Sequence, residues 1–285
     1  MMRILKAILI ALAVIVILTN GLILFLRFYW FPRQEAKKTS EEIFLTDDEI
    51  QPTSKDITQK PGYIYCPILL YHHIAKVEPQ QSYFVSPATF DQQLKWLSDN
   101  GYETIRQDDL YLAMNRKKKL PAKPVIISFD DGDHDQYENA LPILKKYGFL
   151  AVFYLKLNNI EKSGGMSWKE IKELRDAGME IGSHTVNHDA LTSLSTDQIK
   201  YELLESKKVL EDNLGIKIFH FAYPGGNYNA EIEKAVADAG YSTAASTRRN
   251  AYQQIGGDLY LLPRIHIDDE IPTFENWVLG NNASY

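Results

Sequence analysis

From residue 63 onward, short apolar, β-rich runs alternate with amphipathic stretches, and this alternation constrains the fold more than any other feature. Residues 67–74 (PILLYHHI) read as a buried strand. The next stretch opens with Ser86 and Pro87, a cap and a first-turn proline, before helical spacing at Phe90, Leu94 and Leu97; Gly101 ends it. Strand patterns recur at 124–129 (PVIISF), 149–157, 180–184, 219–223, 242–245 and 261–267. Helical patterns at about 135–147, 167–177, 195–214 and 230–239 separate most of them. Parallel neighbours need a crossover, so strands alternating with helices imply a parallel α/β arrangement. The number of units suggests a barrel or near-barrel in one domain, with chemistry at the C-terminal ends of its strands.

Composition removes several function classes. The chain is 45% apolar and 24% charged, which excludes a disordered or low-complexity protein. A net charge of −6 and the lack of a long basic run argue against a nucleic-acid partner. Cys66 is the single cysteine, so neither an intramolecular disulfide nor a multi-thiolate zinc site can form. Any metal must be held by His, Asp or Glu.

Residues 7–26 (AILIALAVIVILTNGLILFL) run for about twenty positions without a charge, enough to cross a hydrocarbon core as one helix. Arg3 and Lys6 precede them, and Arg27, Phe28, Tyr29 and Trp30 follow as an interfacial flank. Without a small-x-small cleavage site, the expectation is a retained membrane anchor over 1–30. Positive charge lies on both sides, so it does not orient the span. Residues 31–62 are polar, with Pro32, Pro52 and Pro61, and read as a stalk. Residues 63–285 are then the functional domain.

Four strand ends carry chemistry. Ser128-Phe129-Asp130-Asp131-Gly132 follows PVII; one carboxylate can bind a metal while its neighbour faces a water, although D-D-G is also a common turn. His184 and His188, in Gly182-Ser183-His184-Thr185-Val186-Asn187-His188, meet one ion if the chain turns helically there. Tyr223-Pro224-Gly225-Gly226 leaves backbone N–H groups with no side chain over them, suited to an oxyanion. His266, in LPRIH, can serve as a general acid at the barrel mouth.

In this order and spacing, SFDDG, SHTVNH and FAYPGG resemble the NodB-homology polysaccharide deacetylases, carbohydrate esterase family 4. The opening PILLYHHI followed by FVSPATF is similar to the poly-N-acetylglucosamine deacetylase branch. The resemblance spans roughly residues 63–270 and implies a distorted (β/α) barrel of about seven strands. It implies that Asp130 is the catalytic base and that Asp131, His184 and His188 bind a divalent ion: zinc, or else cobalt or nickel. It also implies an acid at His266, and at Gly225 an oxyanion donor flanked by Tyr223 and Pro224. Candidate groove residues are Tyr71, His72, Trp168 and Tyr228. The implied substrate is an N-acetylated surface polysaccharide, which places the domain outside the cytoplasm on a single-pass anchor. Peptidoglycan, chitin and acetylxylan are alternative substrates. One departure stands out: the family's usual Arg in the third motif is Ala222 here, and Arg248, Arg249 and Arg264 are candidate replacements. The same departure motivates a reading of another class, a tethered carbohydrate-binding protein without catalysis.

Overall fold

The computed structural model describes residues 62–280. The expected anchor lies outside these residues, as does the stalk apart from its last position. Among the described residues no helix is long and apolar enough to cross a membrane.

In chain order the elements are β1 (Tyr63–Tyr65), β2 (Ile68–Tyr71), β3 (His73–Ile74), β4 (Phe84–Val85), α1 (Pro87–Asp99), β5 (Glu103–Thr104) and α2 (Gln107–Met114). Then come β6 (Pro124–Phe129), α3 (Leu141–Tyr147), β7 (Val152–Leu155), α4 (Trp168–Asp176), β8 (Glu180–Ser183) and α5 (Thr196–Leu214). The chain continues through β9 (His220–Ala222), α6 (Ala230–Asp238), β10 (Thr243–Ala245), β11 (Tyr252–Gln254), β12 (Ile265–His266) and α7 (Ile271–Val278).

One parallel sheet organises the molecule, in the order β10-β9-β8-β7-β6-β2-β12, with β5 joined to the start of β6. The sheet curls until the last segment meets both edges. Leu262 bridges Ala245, while Ile265 and His266 pair with Leu69 and Leu70. The expected barrel is therefore a curled sheet with a thin seam, held at Leu262 by two backbone bonds of 2.9 Å to Ala244 and Ser246.

Strand alternation sorts the core into two clusters. Ile68, Ile126, Val152, Tyr154, Ala222, Ala245 and Leu262 pack together inside the curl, with Leu110, Ala113 and Met114 of α2 against them. Leu69, Tyr71, Ile127, Phe129, Phe153 and Phe221 face the helices, meeting Phe90 and Leu94 of α1 and Leu203 and Leu210 of α5. All six residues of β6 are buried, as expected of a strand covered on both faces. Side chains alternate along a strand, so this sorting also decides which rim residues point inward.

Several elements depart from the sequence reading. The strand expected over 67–74 splits at His72, because β3 leaves the main sheet to pair with β4. The helix expected from about 135 begins with a wide turn over Gln136–Ala140 before α3. The antiparallel β1–β11 ribbon, β5, α2 and α7 carry no readable period: the strands are two or three residues long, and both helices span eight.

Candidate active site and metal centre

Asp130 and Asp131 stand immediately beyond the end of β6. Asp131 and Gly132 both adopt left-handed backbone, with φ of 78° and 75°, which swings the chain sharply out of the strand direction. Gln136 Nε2 donates to the Asp130 carbonyl at 2.5 Å, and Asn159 Nδ2 donates to the Asp131 and Gly132 carbonyls at 3.2 Å. These bonds hold a turn that would otherwise be strained.

His184 lies just past β8 on the inward face. Its Nδ1–H donates to the Ala222 carbonyl at 2.8 Å, which fixes the tautomer and leaves the Nε2 lone pair free. Burial lowers the His184 pKa, against the opposing pull of Asp130 and Asp131. The expected helical turn between the histidines does not form. Thr185 and His188 take φ of 71° and 64° instead, and this bent loop brings the two rings to 4.7 Å between centroids. Glu202 of α5, which is buried, accepts from the Val186 and Asn187 N–H groups at 2.8 and 2.9 Å and from the Asn187 amide at 2.6 Å.

Asp131, His184 and His188 each offer one ligand atom, and these atoms lie within 4.8 Å of one another. His188 Nε2 is 3.4 Å from Asp131 Oδ1, and His184 Nε2 is 3.9 Å from it. Asp131 Oδ1 is buried without a hydrogen-bond partner, although Lys156 Nζ stands 3.2 Å away. Two imidazole nitrogens and a carboxylate oxygen aimed at one point fit a divalent ion with open positions.

The neighbouring carboxylate has a different setting. Asp130 is 3% exposed and sits in the fork of Arg264, with both N···O distances 2.7 Å. Arg264 is wholly buried and also donates from Nε to the Ser246 carbonyl at 3.0 Å. Burial alone would raise the Asp130 pKa; the Arg264 charge, with His184, outweighs it and holds the carboxyl well below the usual range. Of the three arginines considered for the Ala222 gap, Arg264 reaches Asp130, while Arg248 and Arg249 are exposed.

Comparisons with known proteins place the chain in a family. The family model for polysaccharide deacetylases matches residues 117–244. Bacillus subtilis YxkH, whose name assigns it to the polysaccharide deacetylases, is 33% identical over 237 residues, covering 83% of each chain. The chain belongs to the polysaccharide deacetylase family. Such a deacetylase is a hydrolase acting on amide bonds of polysaccharides. The poly-β-1,6-N-acetyl-D-glucosamine N-deacetylase of Staphylococcus aureus is 32% identical over 206 residues, covering 67% of this chain and 70% of its own. Among solved structures, the Streptococcus pyogenes deacetylase PplD in complex with acetate aligns with a TM-score of 0.71 at 30% identity, covering 75% of this chain and 97% of its own. With family membership shown and a guanidinium on Asp130, the departure at Ala222 no longer favours a binding protein without catalysis.

At the mouth of the candidate site, His72, Tyr83 and His266 form a ring cluster with centroid separations of 4.8, 5.2 and 5.6 Å. His72 Nδ1 and His266 Nε2 are buried without hydrogen-bond partners. Burial lowers His72 to about 4, despite Asp130 and Asp131. Burial also lowers His266, whose Nδ1 lies 3.3 Å from Asp268 Oδ1. Gly225 is exposed at φ 59° within a turn closed by Gly226 N–H to the Tyr223 carbonyl at 2.9 Å.

The other expected groove residues differ in burial. Tyr71 is fully buried, stacked on Phe129, with its hydroxyl donating to Gln93 at 3.0 Å; it belongs to the helix-facing core. The Tyr223 ring is likewise buried against Phe221, and Pro224 is buried, so only the backbone of this motif is available to a ligand. Both tyrosines share the outward parity of Phe129 and Phe221, whereas His72, one residue on from Tyr71, points inward. Trp168 and Tyr228 are half-buried against the helix-side core. Lys156, Tyr83 and Glu202 escaped the sequence reading. Lys156 shares the parity of Val152 and Tyr154 just past a strand end, a readable signal; nothing local marks the other two.

Proposed function

We propose that this chain removes N-acetyl groups from an amino-sugar polymer of the poly-N-acetylglucosamine type. The observation that carries the reading is Asp130, clamped by Arg264, beside the three converging donors of Asp131, His184 and His188. These three residues would hold a divalent ion, and their nitrogen and oxygen donors suit zinc. When bound, such an ion supplies Lewis acidity to a carbonyl and lowers the pKa of water.

Asp130 accepts the proton of the attacking water. The Arg264 fork keeps it ionised and fixed in place at some loss of basicity, so it acts as a permanent acceptor rather than one poised near neutrality. The Gly225 N–H donates to the developing oxyanion, a contact worth about 3–4 kcal/mol in comparable sites. His266 protonates the departing amine, oriented through Nδ1 by Asp268. Tyr83, 56% exposed against both mouth histidines, offers a ring face to a sugar.

The Staphylococcus aureus relative's name supports the choice of polymer. The uncharged segment 7–26 supports a membrane tether, and a surface-polysaccharide substrate supports placing the domain on the outer side. Metal content and acetate release from poly-N-acetylglucosamine, peptidoglycan, chitin and acetylxylan test the reading. The expected result is preference for the first polymer, lost in Asp130→Asn with metal retained. Equal acetate release by Asp130→Asn sinks the mechanism, and preference for another polymer sinks the substrate assignment. Protease digestion of intact cells tests the location, and a fully protected domain overturns it.

A further inference from the structure

At the opposite end of the sheet, the first residues of the adjacent strands β8 and β9 and the first turn of α2 bring together Asp108, Glu180 and His220. We propose that they form a second divalent-cation site, of the zinc class, that fastens α2 to the N-terminal ends of β8 and β9.

His220 Nε2 lies 3.1 Å from Asp108 Oδ1 and 3.8 Å from Glu180 Oε1, and one ligand atom from each residue falls within 4.8 Å of the others. The ring is 3% exposed, and Nε2 makes no well-formed hydrogen bond: Asp108 Oδ1 is in ion-pair contact, and Glu180 Oε1 lies beyond hydrogen-bond distance. A buried ring nitrogen aimed between two carboxylates without a well-formed hydrogen bond is suited to a cation between them.

The surrounding bonds hold the donors in this pose. His220 Nδ1 is 2.8 Å from Thr243 Oγ1, which accepts from Gln107 Nε2 at 2.7 Å; Gln107 Oε1 accepts from the Tyr154 hydroxyl at 2.5 Å. Glu180 uses Oε2 to accept the Gln107 N–H at 2.7 Å, leaving Oε1 for the cluster. An outer shell of this kind orients metal ligands. Arg106, the nearby cation, donates to the Gly178 carbonyl at 2.9 Å. One imidazole and two carboxylates favour zinc, cobalt or nickel over magnesium or calcium, which prefer oxygen alone. Asp108, half-exposed, gives the ion a path from solvent.

The test uses the full-length chain in detergent, without a histidine tag. Asp131→Asn/His188→Ala removes the first cluster, and zinc is then titrated in competition with a chromophoric chelator. The expected result is one remaining equivalent, with a zinc-dependent rise in melting temperature. Adding Asp108→Asn, at a half-exposed position, weakens that binding at least about tenfold and abolishes the rise. Absence of the remaining equivalent, or binding indifferent to Asp108→Asn, overturns the site. Asp108→Asn alone leaves acetate release at the wild-type level, which separates this site from the catalytic one.

Discussion

The two ends of the parallel sheet are built from the same residue types and handle them differently. At the C-terminal rim, left-handed backbone at Asp131, Thr185 and His188 turns side chains toward a common point. Polar atoms there, such as Asp131 Oδ1 and His266 Nε2, are left without hydrogen-bond partners. At the N-terminal end, Glu180, Gln107 and Thr243 bind one another in regular geometry and tie a helix to the strands. Left-handed backbone is concentrated at the end that carries the candidate active site, while hydrogen bonds through Gln107 tie a helix to the strands at the other end, where His220 Nε2 is the buried atom left unmatched. The difference follows from where backbone groups are free: strand C-termini open into loops that can bend, while α2 packs across the opposite end.

Substitutions at the rim sharpen this contrast, the largest effect first. Asp130→Asn keeps the fold and metal content but lowers kcat by about 10³–10⁴-fold, because it removes the proton acceptor; steady-state acetate release with elemental analysis checks both. Arg264→Ala destabilises by about 3–5 kcal/mol, since a buried carboxylate loses its partner. Chemical denaturation measures that loss, and its pH dependence has a definite sign. Asp130 has a depressed folded pKa, so the pair's contribution is complete above the ordinary carboxylate pKa, about 4, and disappears only as pH falls through the folded value. The gap between wild type and Arg264→Ala should therefore close only in strong acid.

Glu202→Gln tests whether the histidine loop depends on its support from α5. With weaker acceptance from two backbone N–H groups, the loss is about 1–3 kcal/mol in stability, with metal affinity down about 10–100-fold. Unchanged zinc affinity in a chelator competition would show that the loop holds its shape unaided. Tyr71→Phe gives the smallest effect: about 1 kcal/mol from the lost bond to Gln93, with KM unchanged. A raised KM would return Tyr71 to the substrate groove and break the separation between rim and core.

Much of the site was legible because its residues sit in contiguous motifs at strand ends. Asp130 and Asp131 follow a six-residue apolar strand, and His184 follows another strand directly. The period-2 alternation that marks these strands also held the answer for Tyr71 and Tyr223, whose parity with Phe129 and Phe221 sends them to the helix side. Glu202 was hidden for the opposite reason. On α5 it looks like one more charged residue of an amphipathic helix, and only packing against the 184–188 loop buries it.

The linear pattern determined a parallel α/β sheet and the paired carboxylates and histidines at its rim, because both are written in local periodicity and adjacency. The folded chain decided which arginine answers for Ala222 and which rings reach the mouth. Arg264 meets Asp130 across 134 positions, brought there by the curl that carries the last strand segment against the first strand of the sheet. A contact of that separation depends on how the sheet closes, and closure is settled by packing summed over every strand, which no single segment encodes.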